Sequence, residues 1–500
     1  MRIRLAVALV CYVSAAHASP TIPLDDPVYE QLAILRAQNR IPLYLGGIRP
    51  LTEYDAQRLL VSAGLPPDPH LQPPTLRGLW FDPAHRVGLL VGAASDEERP
   101  YSTPQRPLLM TGGIEVSCEH QEGRPCGEGG GAMIMLDSAA GYGHWLSAFT
   151  RLELTFGTNQ WTTLGHLDRA YVNGQYGPVA VEIGRDVLVL GPGVHTQLIW
   201  GDNTAPLDQV RIQTAHPLKI PKIPVTVSAL YVFGLLRDPQ TFHNTQVQLE
   251  RVAIAIADQV ELGAQQLLQL NGDGAVHYDF VDFIGENFTR TGSQVGAGFS
   301  NRRDSVDLVY TNKHARGLRI YYELAFEDFR KQLGDMFLYD CDHLLGFEMP
   351  ALTKTGQHGF DVELQHNGPF SQEHSYFTTG LTNDGRVVGA PLGPDSWSLY
   401  ATARLDLPHH VALSPWFEWA RLSSDLYDAI VHGPIFVVTH GVPETRERAG
   451  LRGRILLPHA LRVDAEAIYE HVQSFAFVTG ATRNNVDFRA TLVWTPLLRH

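Results

Sequence analysis

Apolar and polar residues alternate one by one over most of this chain. From about residue 86 onward the period is two. Leu318, Ile320, Tyr322, Leu324 and Phe326 interleave with Arg319, Tyr321, Glu323, Ala325 and Glu327. The same rhythm runs from Leu399 to Leu407, from Leu461 to Tyr469 and from Val486 to Trp494. Successive strand side chains point to opposite faces, so each run has one apolar face and one polar or charged face. Runs of about 9–11 residues match a tilted strand crossing a bilayer, whereas sandwich strands are usually nearer roughly 5–6. Many such runs, joined by Gly, Asn and Asp turns, predict a mainly β protein: a large antiparallel transmembrane β-barrel with a polar lumen. Aromatic residues gather near run ends (Tyr321 and Tyr322, Trp397, Trp416 with Trp419, Trp494) and are expected to form interfacial girdles. On pattern alone, a large periplasmic β-sandwich or a β-rich enzyme is the alternative.

Three stretches depart from this rhythm. Residues 19–75 have a helical period instead. Asp26-Pro27 is a helix start, with Asp as the cap and Pro in the first turn, and Tyr29, Leu32, Ala33 and Leu35 follow at helical spacing. Thr52 and Asp55 open a second short helix that stops at Gly64. In Gln248–Ile256 the apolar positions change face, which predicts a bulge or bend. Residues 204–224 contain four prolines and no evident strand pattern, and read as a long loop or insert of the kind that tends to be functional.

The first residues give the destination. Arg2 and Arg4 precede the apolar run Leu5–Val13, and Ala16-His17-Ala18 supplies a small-x-small site. This reads as a secretory signal over residues 1–18, cleaved between Ala18 and Ser19. Cleavage removes Cys11 and leaves Cys118, Cys126 and Cys341. In an oxidising compartment Cys118 and Cys126 are expected to close a small disulfide loop, with Cys341 reduced and partly buried. The formal net charge of −14 argues against a general nucleic-acid binder, which needs a positive surface. The chain is expected to divide into the signal, a helical segment over 19–75 and a barrel over 76–500.

Candidate chemistry is sparse. The chain has no GxSxG elbow, no HExxH helix and no P-loop, and the Gly-rich stretch 127–132 reads as a turn. No metal and no cofactor is expected. Glu323 and Glu327 lie four apart on one strand face, about 13 Å apart when extended, which is too far for a glycosidase pair acting alone. They are expected to be lumen-facing charges paired with arginines such as Arg319. Gly191-Pro192-Gly193 makes a tight turn after the strand Val179–Leu190, and Asn203 and Pro206 follow. This constellation is either turn chemistry or a loop folded into the barrel.

Taken in order, these residues resemble the Wzi-type capsule assembly proteins of Gram-negative outer membranes. The elements are the helix at 28–40 with Gly46–Thr52 (GGIRPLT), Ile183–Gly193 (IGRDVLVLGPG), Asp202–Ile212 (DNTAPLDQVRI) and Arg319–Phe329 (RIYYELAFEDF). The resemblance implies an outer-membrane barrel of about eighteen strands, with the small N-terminal helical segment as a periplasmic plug. From the sequence at the C-terminus, the last strand is expected to end at Trp494, before a short tail. It implies a non-enzymatic, lectin-like role in anchoring capsular or exopolysaccharide at the cell surface. The expected partners are that polysaccharide, outer-membrane lipids including lipopolysaccharide, and the barrel assembly machinery during biogenesis. No nucleic-acid partner is expected. The alternatives are a porin or polysaccharide-export channel and, with less support, a glycan- or lipid-hydrolysing envelope enzyme.

Overall fold

Period-two segments of this length satisfy their backbone groups only by pairing side by side, and a closed ring leaves no open edge. The computed structural model describes residues 18–41, 45–68, 70–71, 78–95, 120–124, 128–159, 161–162, 164–279, 282, 299–327, 337, 341–423, 425–429 and 436–496. Among these, eighteen antiparallel staves close into a barrel. In chain order they are β1 (Leu79–Ala94), β2 (Gly129–Tyr142), β3 (Leu146–Gly157), β4 (Leu164–Tyr176), β5 (Val179–Asp186) and β6 (Leu207–Thr214). Next come β7 (Val225–Leu235), β8 (Gln246–Ile256), β9 (Val260–Leu270), β10 (Asn301–Asn312), β11 (Leu318–Phe326) and β12 (Cys341–Met349). The last six are β13 (Gly359–Asn367), β14 (Ser396–Leu407), β15 (Val411–Leu422), β16 (Glu444–Leu457), β17 (Leu461–Gln473) and β18 (Thr482–Trp494). Each pairs with its neighbour in sequence. The ring closes where β1 pairs with β18, with Val87 opposite Trp494.

The alternation sorts the two faces. Leu89, Leu136, Leu152, Ile183, Val210, Leu308, Leu399 and Phe488 are exposed on the outside. Arg151, Arg169, Arg211, Arg251, Arg303 and Glu323 are buried inside. An apolar belt outside and a charged interior are the two faces of a membrane-spanning barrel. Connections alternate in length as well. Those after β2, β4, β8 and β14 are tight turns, whereas those after β1, β9 and β13 span 95–128, 271–300 and 368–395. Both the start of β1 and the end of β18 lie at the tight-turn end.

The N-terminal segment lies inside that end. Helix α1 (Pro27–Ala37) is capped by Asp26, whose side chain accepts the Val28 N–H, and α2 (Glu53–Ser62) by Thr52, which accepts the Asp55 N–H. The two pack through Leu32, Leu35, Ala56, Leu59 and Leu60. Their polar residues reach the barrel wall: Asp25 to Arg462 (2.7 Å), Asp26 to Arg86 (3.2 Å), Glu53 to His85 (2.7 Å) and Arg36 to Glu348 (3.4 Å).

Several expectations need correction. Residues 204–224 are not one loop. Leu207–Thr214 is the stave β6, whose Val210 and Ile212 face outward while Gln209 and Arg211 face the lumen. The prolines flank it at 206 and 217–224 and do not interrupt it. The Gln248–Ile256 stretch has no bulge, because β8 keeps unbroken register with both neighbours. Its inward face changes character, from Val247 and Leu249 to Arg251, without changing phase. The bulges lie elsewhere, between Asp82 and Arg86 in β1 and at Arg151/Leu152 between β3 and β4. The first explains why alternation is legible only from residue 86 although β1 starts at Leu79. Of the expected girdle residues, Tyr321 and Trp416 are buried on the lumen face. Tyr321 adjoins Tyr322, and Trp416 lies three from Trp419, so neither pair can share a face. Of the stretch 127–132, expected as a turn, residues 129–132 supply the opening rungs of β2. Cys341 is buried more completely than expected, while Cys118, Cys126 and residues 1–17 lie outside the described residues.

Candidate functional site in the barrel lumen

Between β5 and β6 the chain turns into the barrel. Val187, Leu188, Val189 and Leu190 are all buried, because this stretch has protein on every side and needs no polar face. Val189–Leu190 pairs antiparallel with Ile48–Arg49 of the N-terminal segment. The two inserts therefore meet inside the lumen, one threaded from each end. Gly191, Pro192 and Gly193 then reverse the chain. Gly191 holds a φ of +124°, and a Cβ on Gly193 would lie 1.7 Å from the Thr196 carbonyl oxygen. Only glycine fits these two positions without rebuilding the turn.

Side chains from two staves, β11 and β13, and from the N-terminal segment hold the turn. Arg319 donates to the Pro192 carbonyl at 2.7 Å, and Arg49 to the Gly193 carbonyl at 2.9 Å. The backbone N–H groups of Val194, His195 and Thr196 converge on the Glu363 carboxylate at 2.6, 2.9 and 2.8 Å. The Tyr321 hydroxyl donates to the same group. Successive N–H groups of this kind form an anion-holding concavity, occupied here by the barrel's own carboxylate. Further on, Leu198, Ile199 and Trp200 pack against inward residues of β7–β12, among them Leu230, Leu249, Leu267 and Leu344. The 368–395 connection covers the insert: Asn203 donates to the Val387 carbonyl and Asn383 to the Ala205 carbonyl. Pro206 is buried immediately before β6.

Glu323 and Glu327 do not act as a pair, and neither takes Arg319. Glu323 accepts hydrogen bonds from Gln265 (2.6 Å) and Ser305 (2.9 Å) behind Gly191. Glu327 binds Arg303 at 2.9 Å and the Gln372 N–H at 2.6 Å. Arg319 belongs to Glu348 at 2.9 Å. Sequence reasoning missed Glu363, the hub of the turn. Its signal was the inward row Asp361, Glu363, Gln365, Asn367 on β13, which carries polar residues at every second position.

The far side of the lumen is open. Two adjoining cavities of about 410 and 340 Å³ share Glu30, His195, Ser414 and Arg452. Trp416 donates to Glu466 at 3.0 Å, and Arg452 donates to Glu466 at 2.6 Å and to the Tyr400 hydroxyl at 3.2 Å. His195 stacks on Tyr400 with ring centroids 3.7 Å apart. Asp25 forms part of the chamber floor and is half-exposed to it, with protein all around. Burial pushes its carboxyl up, but the guanidinium groups of Arg462, Arg124, Arg86 and Arg151 outweigh this and hold it well below the usual carboxylate range. A chamber of this kind offers charged and hydroxyl hydrogen-bonding groups beside aromatic rings.

Comparison with known proteins places this architecture. The family description for capsule assembly protein Wzi matches residues 105–487. Among solved structures, Wzi of Escherichia coli is described as an outer membrane protein involved in group 1 capsule assembly and as a carbohydrate-binding β-barrel. It aligns with a TM-score of 0.68 at 15% identity, covering 97% of this chain and 100% of that one. OccD3 of Pseudomonas aeruginosa aligns with a TM-score of 0.47 at 9% identity over 83% of this chain and 91% of its own. OprD of the same organism gives 0.47 at 10% identity over 85% and 97%. A comparison with curated protein sequences finds no match. With a family match that spans well over half of its length, the chain belongs to the capsule assembly protein Wzi family.

Proposed function

We propose that this protein is a non-enzymatic outer-membrane protein that holds capsular or exopolysaccharide at the cell surface. The observation that carries the reading is the doubly occupied lumen. The N-terminal segment and the 187–206 insert meet through the Ile48–Arg49 and Val189–Leu190 strands, and a barrel filled from both ends suits retention better than transport. Family membership and the carbohydrate binding described for Wzi of Escherichia coli support it. In this reading the long connections face outward and the tight turns face the periplasm, as in other outer-membrane barrels, so α1 and α2 plug the periplasmic mouth. Cleavage after Ala18 would leave Ser19 at the new terminus, where its hydroxyl already accepts the Tyr54 N–H at 2.9 Å. A Cys118–Cys126 disulfide would close a small loop around residues 120–124, and lipopolysaccharide and the assembly machinery would be the protein's envelope partners.

A surface-polysaccharide retention assay in a deletion strain tests the reading. The expected result is polymer that is made but shed into the medium, restored to the cell by the wild-type gene. Undiminished cell-associated polymer in the deletion strain would overturn it.

A further inference from the structure

A second constellation lies on the lumen wall, away from the insert and the chamber's aromatic row. Glu153 on β3 stands opposite His166 on β4. One step further, the β4 chain carries an extra residue at the bulge between these staves, so that Asp168 and Arg169 both turn inward and are both buried. Bulges re-aim side chains in this way. The result brings one ligand atom each from Glu153, His166 and Asp168 within 4.8 Å of one another.

The neighbouring cations are largely committed elsewhere. Arg151 makes a two-pronged contact with Asp137 at 2.7 and 2.8 Å, and Arg169 grips Glu122. Arg124 takes Glu122 and the Oε1 atom of Glu153. That leaves Oε2 of Glu153 facing His166 Nε2 at 3.5 Å, too long for a good hydrogen bond. Two ligands that each sit about 2.0–2.2 Å from one ion are spaced about this far apart. The side chain of Asp168 is 6% exposed, and its buried Oδ2 accepts no hydrogen bond. Its ion contact with Arg169 Nε is long, at 3.7 Å. A buried carboxylate oxygen without a hydrogen bond is costly unless a cation meets it. His166 is about one third exposed, which gives an ion a way in from the lumen.

We propose that Glu153, His166 and Asp168 form a divalent transition-metal site, with Zn²⁺ as its ion. One imidazole nitrogen and two carboxylate oxygens, with room for water, suit zinc. Calcium takes six to eight oxygens, and copper(I) prefers thiolate or thioether. A bound ion would lock the bulge and the β3–β4 wall beneath the 120–124 segment.

The test uses the full-length barrel purified in detergent, stripped with chelator and titrated with zinc chloride by calorimetry, with metal content counted by mass spectrometry. The expected result is one tight equivalent for the wild type and a loss of at least about tenfold in affinity for Asp168→Asn and for Glu153→Gln. His409→Ala, at an exposed turn, should leave that equivalent unchanged. Heat-modifiable migration confirms that each variant is folded. If one is not, His166→Gln at the partly exposed position replaces it. Absence of a stoichiometric equivalent in the wild type, or equal affinity in wild type and folded variants, would overturn the proposal.

Discussion

The two walls of this lumen follow one sequence rule and do opposite things. On β7–β12 the inward positions include Leu230, Val232, Val247, Leu249, Leu267, Val309 and Leu344, and the 187–206 insert is packed against them. On β14–β18 the inward positions include Tyr400, Trp416, Glu418, Arg448, Arg452 and Glu466, and the chamber lies there. The outer faces are alike, with Leu262 and Leu308 on one side and Leu399 and Phe417 on the other equally exposed. Period-two alternation therefore fixes the barrel. The identity of the inward residues decides whether a wall receives protein or solvent. Each large apolar side chain buried there contributes roughly 1.5–3 kcal/mol, and Trp200, Leu198 and Leu190 are all fully buried.

The strongest way to break the contrast is to put a charge on the apolar wall. Leu249→Glu places an unpaired carboxylate where Leu249 is fully buried, and should cost about 3–5 kcal/mol. Denaturation should shift accordingly, and protease should cut within 187–206 in the folded barrel. Ion conductance in planar bilayers should rise as the insert leaves. The same change at Thr491, inward on the chamber side, should stay within about 0.5 kcal/mol and leave conductance unchanged. Equal effects on the two walls would show that the contrast does not govern where the insert sits.

A smaller effect is expected at the hub of the turn. Glu363→Ala removes the acceptor shared by three N–H groups and the Tyr321 hydroxyl. Leaving buried donors unmet should cost about 2–3 kcal/mol, read by chemical denaturation. Glu363→Gln keeps one carbonyl oxygen and should fall between wild type and Ala. If Ala and Gln are equal, the carboxylate is a bystander and packing alone holds the turn.

The contrast also separates what the sequence makes legible from what it hides. Helix caps at Asp26 and Thr52 and the long strands near residues 318, 399, 461 and 486 could be read directly, because each is a local pattern. The stave Leu207–Thr214 was hidden, since its inward residues are Gln209 and Arg211 and prolines crowd its flanks. In Gln248–Ile256 an apolar inward half looked like a change of phase, because the wall on which it lies is covered by protein and needs no polar residues. Glu363 and the Glu153–His166–Asp168 cluster depend on contacts between residues far apart in the chain and on a bulge, which alternation cannot locate. Glu323 and Glu327 do face the lumen, but their partners come from other staves and from the 368–395 connection.

The N-terminal segment tests the charged wall from the other side. Asp25→Asn removes one anion facing Arg462 and should loosen the segment by no more than about 1 kcal/mol, since Asp25 is half-exposed to water. The pH dependence has a definite sign. A carboxyl held below its ordinary value binds its proton later than the detached segment does. Its contribution is complete above the ordinary carboxylate range near ~3.9 and is lost only as pH falls through the depressed value. Attachment of 19–75, followed by limited proteolysis, should therefore persist through mild acid in the wild type. It should become independent of this group in Asp25→Asn.

The smallest structural change carries the sharpest question about the ligand. Trp416→Phe keeps a ring in the chamber but deletes the hydrogen bond to Glu466, worth about 0.5–1.5 kcal/mol. Glu466 retains Arg452 at 2.6 Å, so the barrel should melt within a few degrees of wild type. Arg452 and Tyr400 would still stand at the chamber wall, but Glu466 would keep only one of the two donors that orient it. If the open wall contacts saccharide, polymer retention should fall although the fold does not, and Arg452→Gln should deepen the loss. If retention is unchanged in both variants, the chamber is only solvent space. Binding would then belong to the long connections above the insert, and the contrast between the walls would concern folding rather than recognition.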